Sequence, residues 1–409
     1  MAALSPLAPA RFPDLPPLPG VRLAAHAGGL RYSGRDDLML AELAPGSAVA
    51  GVLTRSLTAG APVLWCRDCL KGGTGRAILV NAGNANVFTG RAGREAVMAT
   101  AGRTAELLGC APHEVLVSST GVIGERLPVD KFLAALPRLV AGLSSDAWER
   151  AARAILTTDT FPKGATATAA IDGVAVRLNG FAKGSGMIAP DMATMLAYVF
   201  TDAALPAAVL QPLLAAATER SFNAITVDGD TSTSDTVLLC ATGRAAHSVI
   251  ADPGDPRLAQ FREALDRVMI DLAQQVVRDG EGAQKFVTIT VRGAASAQAA
   301  RRIGLAIGNS PLVKTAIAAG DANWGRIVMA VGKAGEEVER DRLKVAVGGV
   351  TIAAEGGPVP GYDEAPVAAH MRGREIQIAV DLGIGPGEAT IWTCDLTHGY
   401  IDINGSYRS

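Results

Sequence analysis

The stretch Ala182-Lys183-Gly184-Ser185-Gly186-Met187-Ile188-Ala189-Pro190-Asp191-Met192-Ala193-Thr194-Met195-Leu196-Ala197-Tyr198-Val199-Phe200-Thr201 decides how this chain is read. Two glycines make its approach pliant, a proline punctuates it, and an apolar run begins just after Thr194. An apolar run bounded by turn residues and rich in β-branched and aromatic side chains reads as a buried strand. On composition alone, Thr194 is a β-branched residue opening a core strand.

Working outward, the same two signals recur. Upstream, 77–81 is an apolar strand ending in the polar turn 81–86, and 115–117 is a buried strand followed by the loop 118–124. Residues 91–108 carry helical spacing at Ala96, Met98, Ala99, Ala105 and Leu108. Segments 128–143 and 147–156 read as helices, and 173–181 alternates as a strand. Downstream, 198–201, 237–241 and 286–291 read as strands, and 206–221 and 310–319 as helices. A long helix over 257–278 is stopped by Asp279-Gly280. Strands and helices intermix without a βαβ rhythm. The expected fold class is therefore α+β or mixed α/β, a layered sandwich of largely antiparallel sheets flanked by helices, and not a Rossmann fold.

Composition narrows the function. The chain has 409 residues, 38 basic against 40 acidic, a net charge of -2, 49% apolar and 4% aromatic residues. Such a chain buries a core, and its length suggests two or three domains. Balanced charge argues against a nucleic-acid binder, which shows a strongly basic face. The first 20 residues are proline-rich and lack the apolar core of a secretory signal. No run reaches the roughly 18 apolar residues that span a bilayer. No membrane association is expected, and the cytoplasm is the expected compartment. Five cysteines form no disulfide framework. Cys66-Arg67-Asp68-Cys69 has no second ligand pair and runs into a loop, and the five histidines show no ligand spacing. No metal or bound cofactor is expected. Gly72-Gly73-Thr74-Gly75 precedes a strand instead of following one, which excludes a dinucleotide fingerprint. Asp228-Gly229-Asp230-Thr231-Ser232-Thr233-Ser234-Asp235 lacks the glycine and the final acid of a calcium loop, and reads as a polar turn before a strand.

The opening stretch resembles the processing site of the ornithine acetyltransferase family, the bifunctional glutamate N-acetyltransferases of arginine biosynthesis. These enzymes cut themselves between Ala and Thr in Met-Ala-Thr-Met-Leu. The resemblance extends in order along nearly the whole chain. It includes Val80-Asn81-Ala82-Gly83-Asn84-Ala85-Asn86, Ser119-Thr120-Gly121-Val122-Ile123-Gly124 and Thr157-Thr158-Asp159-Thr160-Phe161-Pro162-Lys163. It continues through 227–234, 309–315, Ala322-Asn323-Trp324-Gly325-Arg326 and Cys394-Asp395-Leu396-Thr397. Departures are small: Ala189 where His is common, Ser234 where Asn is common, and Gly405-Ser406 where Ala-Asp is usual.

The resemblance implies a set of expectations. Cleavage between Ala193 and Thr194 gives an alpha chain, 1–193, and a beta chain, 194–409, that stay packed together. Thr194 is then an amino-terminal nucleophile. An α-amine has a pKa of about 7.7–8.0 and can act as base for the hydroxyl of its own residue. Thr120 (hydroxyl) and Gly121 (N–H) are the expected oxyanion hole. Thr157, Lys183, Thr194, Glu281, Asn404 and Ser409 are the expected substrate contacts, with Thr158 an open alternative to Thr157. The implied reaction is ping-pong: acetyl passes from N-acetylornithine to Thr194 and then to glutamate. Acetyl-CoA serves many family members as a co-substrate, and the family assembles as two alpha and two beta chains. The fold implied is that of the amino-terminal-nucleophile-like ornithine acetyltransferases and aminopeptidases. A self-cleaving aminopeptidase or amidase is the competing reading, and would pass the acyl group to water. An uncleaved binding protein would run as one band of 41.9 kDa.

Overall fold

The computed structural model describes residues 3–189 and 195–406. Its layering follows from two-residue periodicity. In strand Leu38–Leu43, Met39 and Ala41 join one core while Leu38 and Leu40 join another. A strand that is apolar on both faces must be covered on both.

The first sheet runs in the order Val21–His26, Leu38–Leu43, Ala77–Asn84, Val115–Val122. The second runs Ala48–Leu53, Thr236–Ala241, Leu196–Thr201, Val174–Lys183, Lys163–Ile171. Their inner faces form one core, where Met39, Ile78, Val80 and Leu116 meet Phe181, Tyr198, Phe200 and Leu238. Trp148 closes this layer edge-on to Phe181 and Phe200, with centroids 6.3 and 5.6 Å away. Each large apolar side chain shielded here contributes on the order of 1.5–3 kcal/mol. The outer face of the first sheet is covered by helices Gly90–Leu108 and Val129–Ala141. Helices Ala207–Arg220 and Ala259–Arg278 cover that of the second. A third sheet, of six strands between residues 286 and 394, extends this last core.

The expected class therefore stands: each sheet has one parallel pair and is otherwise antiparallel. Strands from both sides of residue 193 lie side by side, with Lys183 opposite Leu196 and Leu196 opposite Thr236. The two expected fragments thus share a sheet.

Local readings need correction. Segment 118–122 is not a loop: the strand continues to Val122, and its neighbour continues to Asn84. The polar residues there look like turn formers, but they complete a ladder between two buried strand ends. Cys66 and Cys69 lie in helix Ala61–Cys69, with no disulfide between them. Strand Lys163–Ile171 and helices Ala297–Gly308, Trp324–Gly332, Glu364–Met371 and His398–Ser406 were not anticipated. Gly304, for example, weakens the helical signal of its segment, because it makes room for Ile391 at 2.6 Å from an added Cβ.

Candidate active site

The ends of the two central sheets face one cavity of about 430 Å³, lined by Thr120, Gly121, Thr157, Thr158, Lys183, Glu281 and Asn404, among others. Every expected site residue within the described region is therefore there. Ala193, Thr194 and Ser409 lie outside the described residues.

Gly121 sits at φ +129°, where an added Cβ would lie 2.3 Å from the Gly83 carbonyl carbon. Only glycine allows the paired strand ends to approach this closely. Beside it, Lys183 is 3% exposed and donates from Nζ to Thr120 Oγ1 at 3.2 Å. An ammonium only donates, so Thr120 accepts and its own proton is left to donate elsewhere. Among the described residues, the Thr120 hydroxyl makes no other hydrogen bond. Burial pushes the Lys183 ammonium below the ordinary lysine range, and the Asp159 carboxylate pulls it back.

Glu281 faces the same cavity and is 8% exposed. Burial raises its carboxyl above the usual range, while bonds from Asn404 and Thr158 oppose the rise. Asn404 Nδ2 donates to Glu281 Oε2 at 2.7 Å. Gly186 lies directly against this carboxylate, since an added Cβ would fall 2.3 Å from Oε2. Gly282 adopts φ +75°, and helix His398–Ser406 packs on it so closely that a Cβ would meet the Tyr400 nitrogen at 2.4 Å. The two glycines thus seat the acid and the helix that carries Asn404.

Sequence reasoning did not place the polar run 228–235 at the site. Asp228 accepts the N–H groups of Met187 (2.6 Å) and Ile188 (2.9 Å) and the hydroxyl of Tyr400 (3.3 Å). It also faces the cavity, as do Asp230 and residues 231–234. Asp235 is fully buried: Oδ1 accepts the Met195 N–H at 2.9 Å, and Oδ2 has no hydrogen-bond partner among the described residues. Burial raises its carboxyl well above the usual range. The signal was the polar run 228–235 in an apolar chain, which sequence reading assigned to a turn. The scattered histidines stay outside the cavity lining.

The lining combines a hydroxyl and a backbone amide on adjacent residues with one buried cation and several acids. Such a set can stabilise an oxyanion and hold a small zwitterion. A cavity of about 480 Å³ below the N-terminal arm offers no comparable set, and its Arg22 and Arg76 both reach Glu42. Among the described residues, no helix is long and apolar enough to cross a membrane. No group of three or more His, Cys, Asp and Glu side chains there could hold a metal ion.

The model of the ArgJ family matches residues 22–409. The arginine biosynthesis bifunctional protein ArgJ of Gluconobacter oxydans (strain 621H) is 62% identical over 406 residues, 99% of this chain and 96% of that protein. Its counterpart in Rhizobium meliloti (strain 1021) is 55% identical over 410 residues, 100% of this chain and 99% of that one. A crystal structure of the arginine biosynthesis bifunctional protein argJ from Bacillus halodurans is 42% identical. It has a TM-score of 0.50, and the match covers 51% of this chain and 98% of that chain. Family model and full-length relatives coincide, and this chain belongs to the ArgJ family.

Proposed function

We propose that this protein is a glutamate N-acetyltransferase of arginine biosynthesis, moving acetyl from N-acetylornithine to glutamate through an acetyl-threonine at Thr194. The observation that carries this reading is the single cavity uniting Thr120, Gly121, Lys183 and Glu281 beside the strand that follows Thr194. Self-cleavage first converts the Ala193–Thr194 amide to an ester by attack of the Thr194 hydroxyl. That shift frees the Thr194 amine, and water then hydrolyses the ester to the Ala193 carboxylate and the Thr194 hydroxyl. That free amine takes the proton from its own hydroxyl as the oxygen attacks the acetyl carbonyl. The Thr120 O–H and Gly121 N–H stabilise the tetrahedral oxyanion. Ornithine leaves with a proton on its amine. The glutamate amine attacks the acetyl ester, N-acetylglutamate departs, and the Thr194 hydroxyl regains its proton.

The cavity suits the donor. Glu281 and Asp228 offer carboxylates to the side-chain ammonium of N-acetylornithine, and Lys183 offers the charge that a carboxylate requires. The Bacillus halodurans chain is matched almost end to end by about half of this one, as a chain of half the length would be. That length supports division near residue 193. Two of each fragment form the proposed cytoplasmic assembly.

A denaturing gel with amino-terminal sequencing tests the cut: two bands are expected, one beginning Thr-Met-Leu-Ala, and Thr194→Ala leaves one inactive chain of 41.9 kDa. Incubation with N-acetylornithine, with and without glutamate, tests the transfer. Acetylglutamate must form only when both are present. Release of acetate without glutamate at the same rate favours the amidase reading. Acetyl-CoA in place of N-acetylornithine tests the second donor.

A further inference from the structure

The motif Thr157-Thr158-Asp159-Thr160-Phe161-Pro162-Lys163 contributes Thr157 and Thr158 to the cavity, which leaves its charged residues without a role. Lys163 is fully buried between two fully buried carboxylates. Its Nζ donates to Asp159 Oδ1 (2.8 Å), Asp279 Oδ2 (2.6 Å) and the Phe161 carbonyl (3.2 Å). All three donors of the ammonium are used, so its position is set by three acceptors.

Each carboxylate then holds a different edge of the cavity. Asp159 accepts the Gly184 N–H at 2.6 Å and the Thr157 N–H at 3.0 Å, so it fixes the backbone next to Lys183 and next to the Thr157–Thr158 pair. Asp279 accepts the N–H and hydroxyl of Thr160 at 2.9 and 2.5 Å. Its carbonyl accepts the Ser185 hydroxyl at 2.7 Å, and Ser185 in turn accepts the Glu281 N–H at 3.0 Å. Lys163 and Lys183 hold the Asp159 carboxyl below the usual carboxylate range against the cost of its burial.

We propose that Lys163, with Asp159 and Asp279, is a positioning cluster that sets the spacing between Lys183 and Glu281 and joins the two fragments beneath the active site. The proposal rests on the acetyl-transfer reading for its substrate. Lys163 and Asp159 precede residue 193 and Asp279 follows it, so the ion pair spans the proposed cut. Its burial excludes the screening that makes exposed pairs weak. None of the three carboxylate and ammonium groups lines the cavity, so they act through the residues that do.

The test compares Asp279→Asn and Lys163→Met with the wild-type chain, all prepared full length. Asp279→Asn leaves the Asp159–Lys163 pair and the Lys183–Thr120 contact in place. It is expected to lower kcat/KM for N-acetylornithine about 100-fold, the loss typical of a misplacement of about 1 Å. Acetyl release from p-nitrophenyl acetate, which needs only the nucleophile and the oxyanion donors, should stay within about threefold. Lys163→Met frees both edges and should lower both activities. Hydrogen exchange needs no activity: amides of 184–188 and 279–284 should exchange at least about tenfold faster in Lys163→Met, with the strands of the two central sheets unchanged. Unchanged exchange at either segment overturns the proposal, and so does an equal loss of both activities in Asp279→Asn that tracks lost folded protein. If the wild-type chain transfers no acetyl, the functional reading fails, and the exchange experiment still decides the positioning role.

Discussion

Gly121→Ala is the sharpest perturbation of this site, because the structure gives its consequence in distances. At φ +129° an added Cβ would stand 2.3 Å from the Gly83 carbonyl carbon and 2.6 Å from the Asn84 nitrogen. Ordinary van der Waals contact begins at 3.4 Å. The strand ends must therefore part by about 1 Å, and the neighbouring atoms are backbone with no rotamer to yield. Misplacement on that scale costs on the order of 100-fold in rate, and loss of one oxyanion donor costs about 10²–10³. The dihedral itself adds about 1–3 kcal/mol of destabilisation for a side chain. Steady-state transfer from N-acetylornithine to glutamate should thus lose at least about 100-fold in kcat, with KM moving less. Gly124→Ala is the control: its φ is +84° with nothing within 4 Å of an added Cβ. It pays for the dihedral without displacing the strand and should keep kcat. If Gly121→Ala retains wild-type kcat and unfolds at the wild-type denaturant midpoint, the close approach and the role of its amide are both refuted.

Other outcomes follow from the same geometry. Thr120→Val removes a hydroxyl at nearly constant volume and should lower kcat by about 10²–10³ in the same assay; a loss below about threefold would remove Thr120 from the oxyanion hole. Glu281 must be ionised to pair with an ammonium, and burial raises its carboxyl. The KM for N-acetylornithine should therefore climb as pH falls from neutral, with a midpoint above the ordinary glutamate value of about 4.3, and Glu281→Gln should reduce this climb to the part that Asp228, also raised by burial, contributes. Asp235 concerns stability. With its native pKa raised, the folded chain holds a proton that the unfolded chain has released between the two values, so stability falls as pH rises through that window. The Tm advantage of Asp235→Asn over wild type should then grow as pH rises above the ordinary aspartate value of about 3.9, and a constant difference would contradict a buried carboxyl with one oxygen unbonded.

Much of this site was legible in one dimension. Gly121 next to a hydroxyl, a lysine on a glycine-rich approach and an acid after a helix stop are local chemical statements, and the family resemblance linked them. Asp228, Asp235 and Lys163 were not legible in that way. Each carries its meaning through partners 40 to 116 residues away: the Met187 and Ile188 amides, the Met195 amide and the Asp279 carboxylate. A polar run such as 228–235 has no periodicity that distinguishes a solvated turn from a cavity wall. Burial separates them, and burial is a property of the packed chain.

By itself the sequence determined the alternation that builds the strands and the helix that Asp279-Gly280 ends. It also determined the family. Tertiary structure alone decided that Thr120 and Gly121 belong to a strand end, that Lys183 donates to Thr120, and that Lys163 is buried between Asp159 and Asp279. The physical reason is the same in each case. Covalent order and side-chain chemistry are local, whereas desolvation, close backbone approach and the pairing of buried charge exist only where distant segments meet.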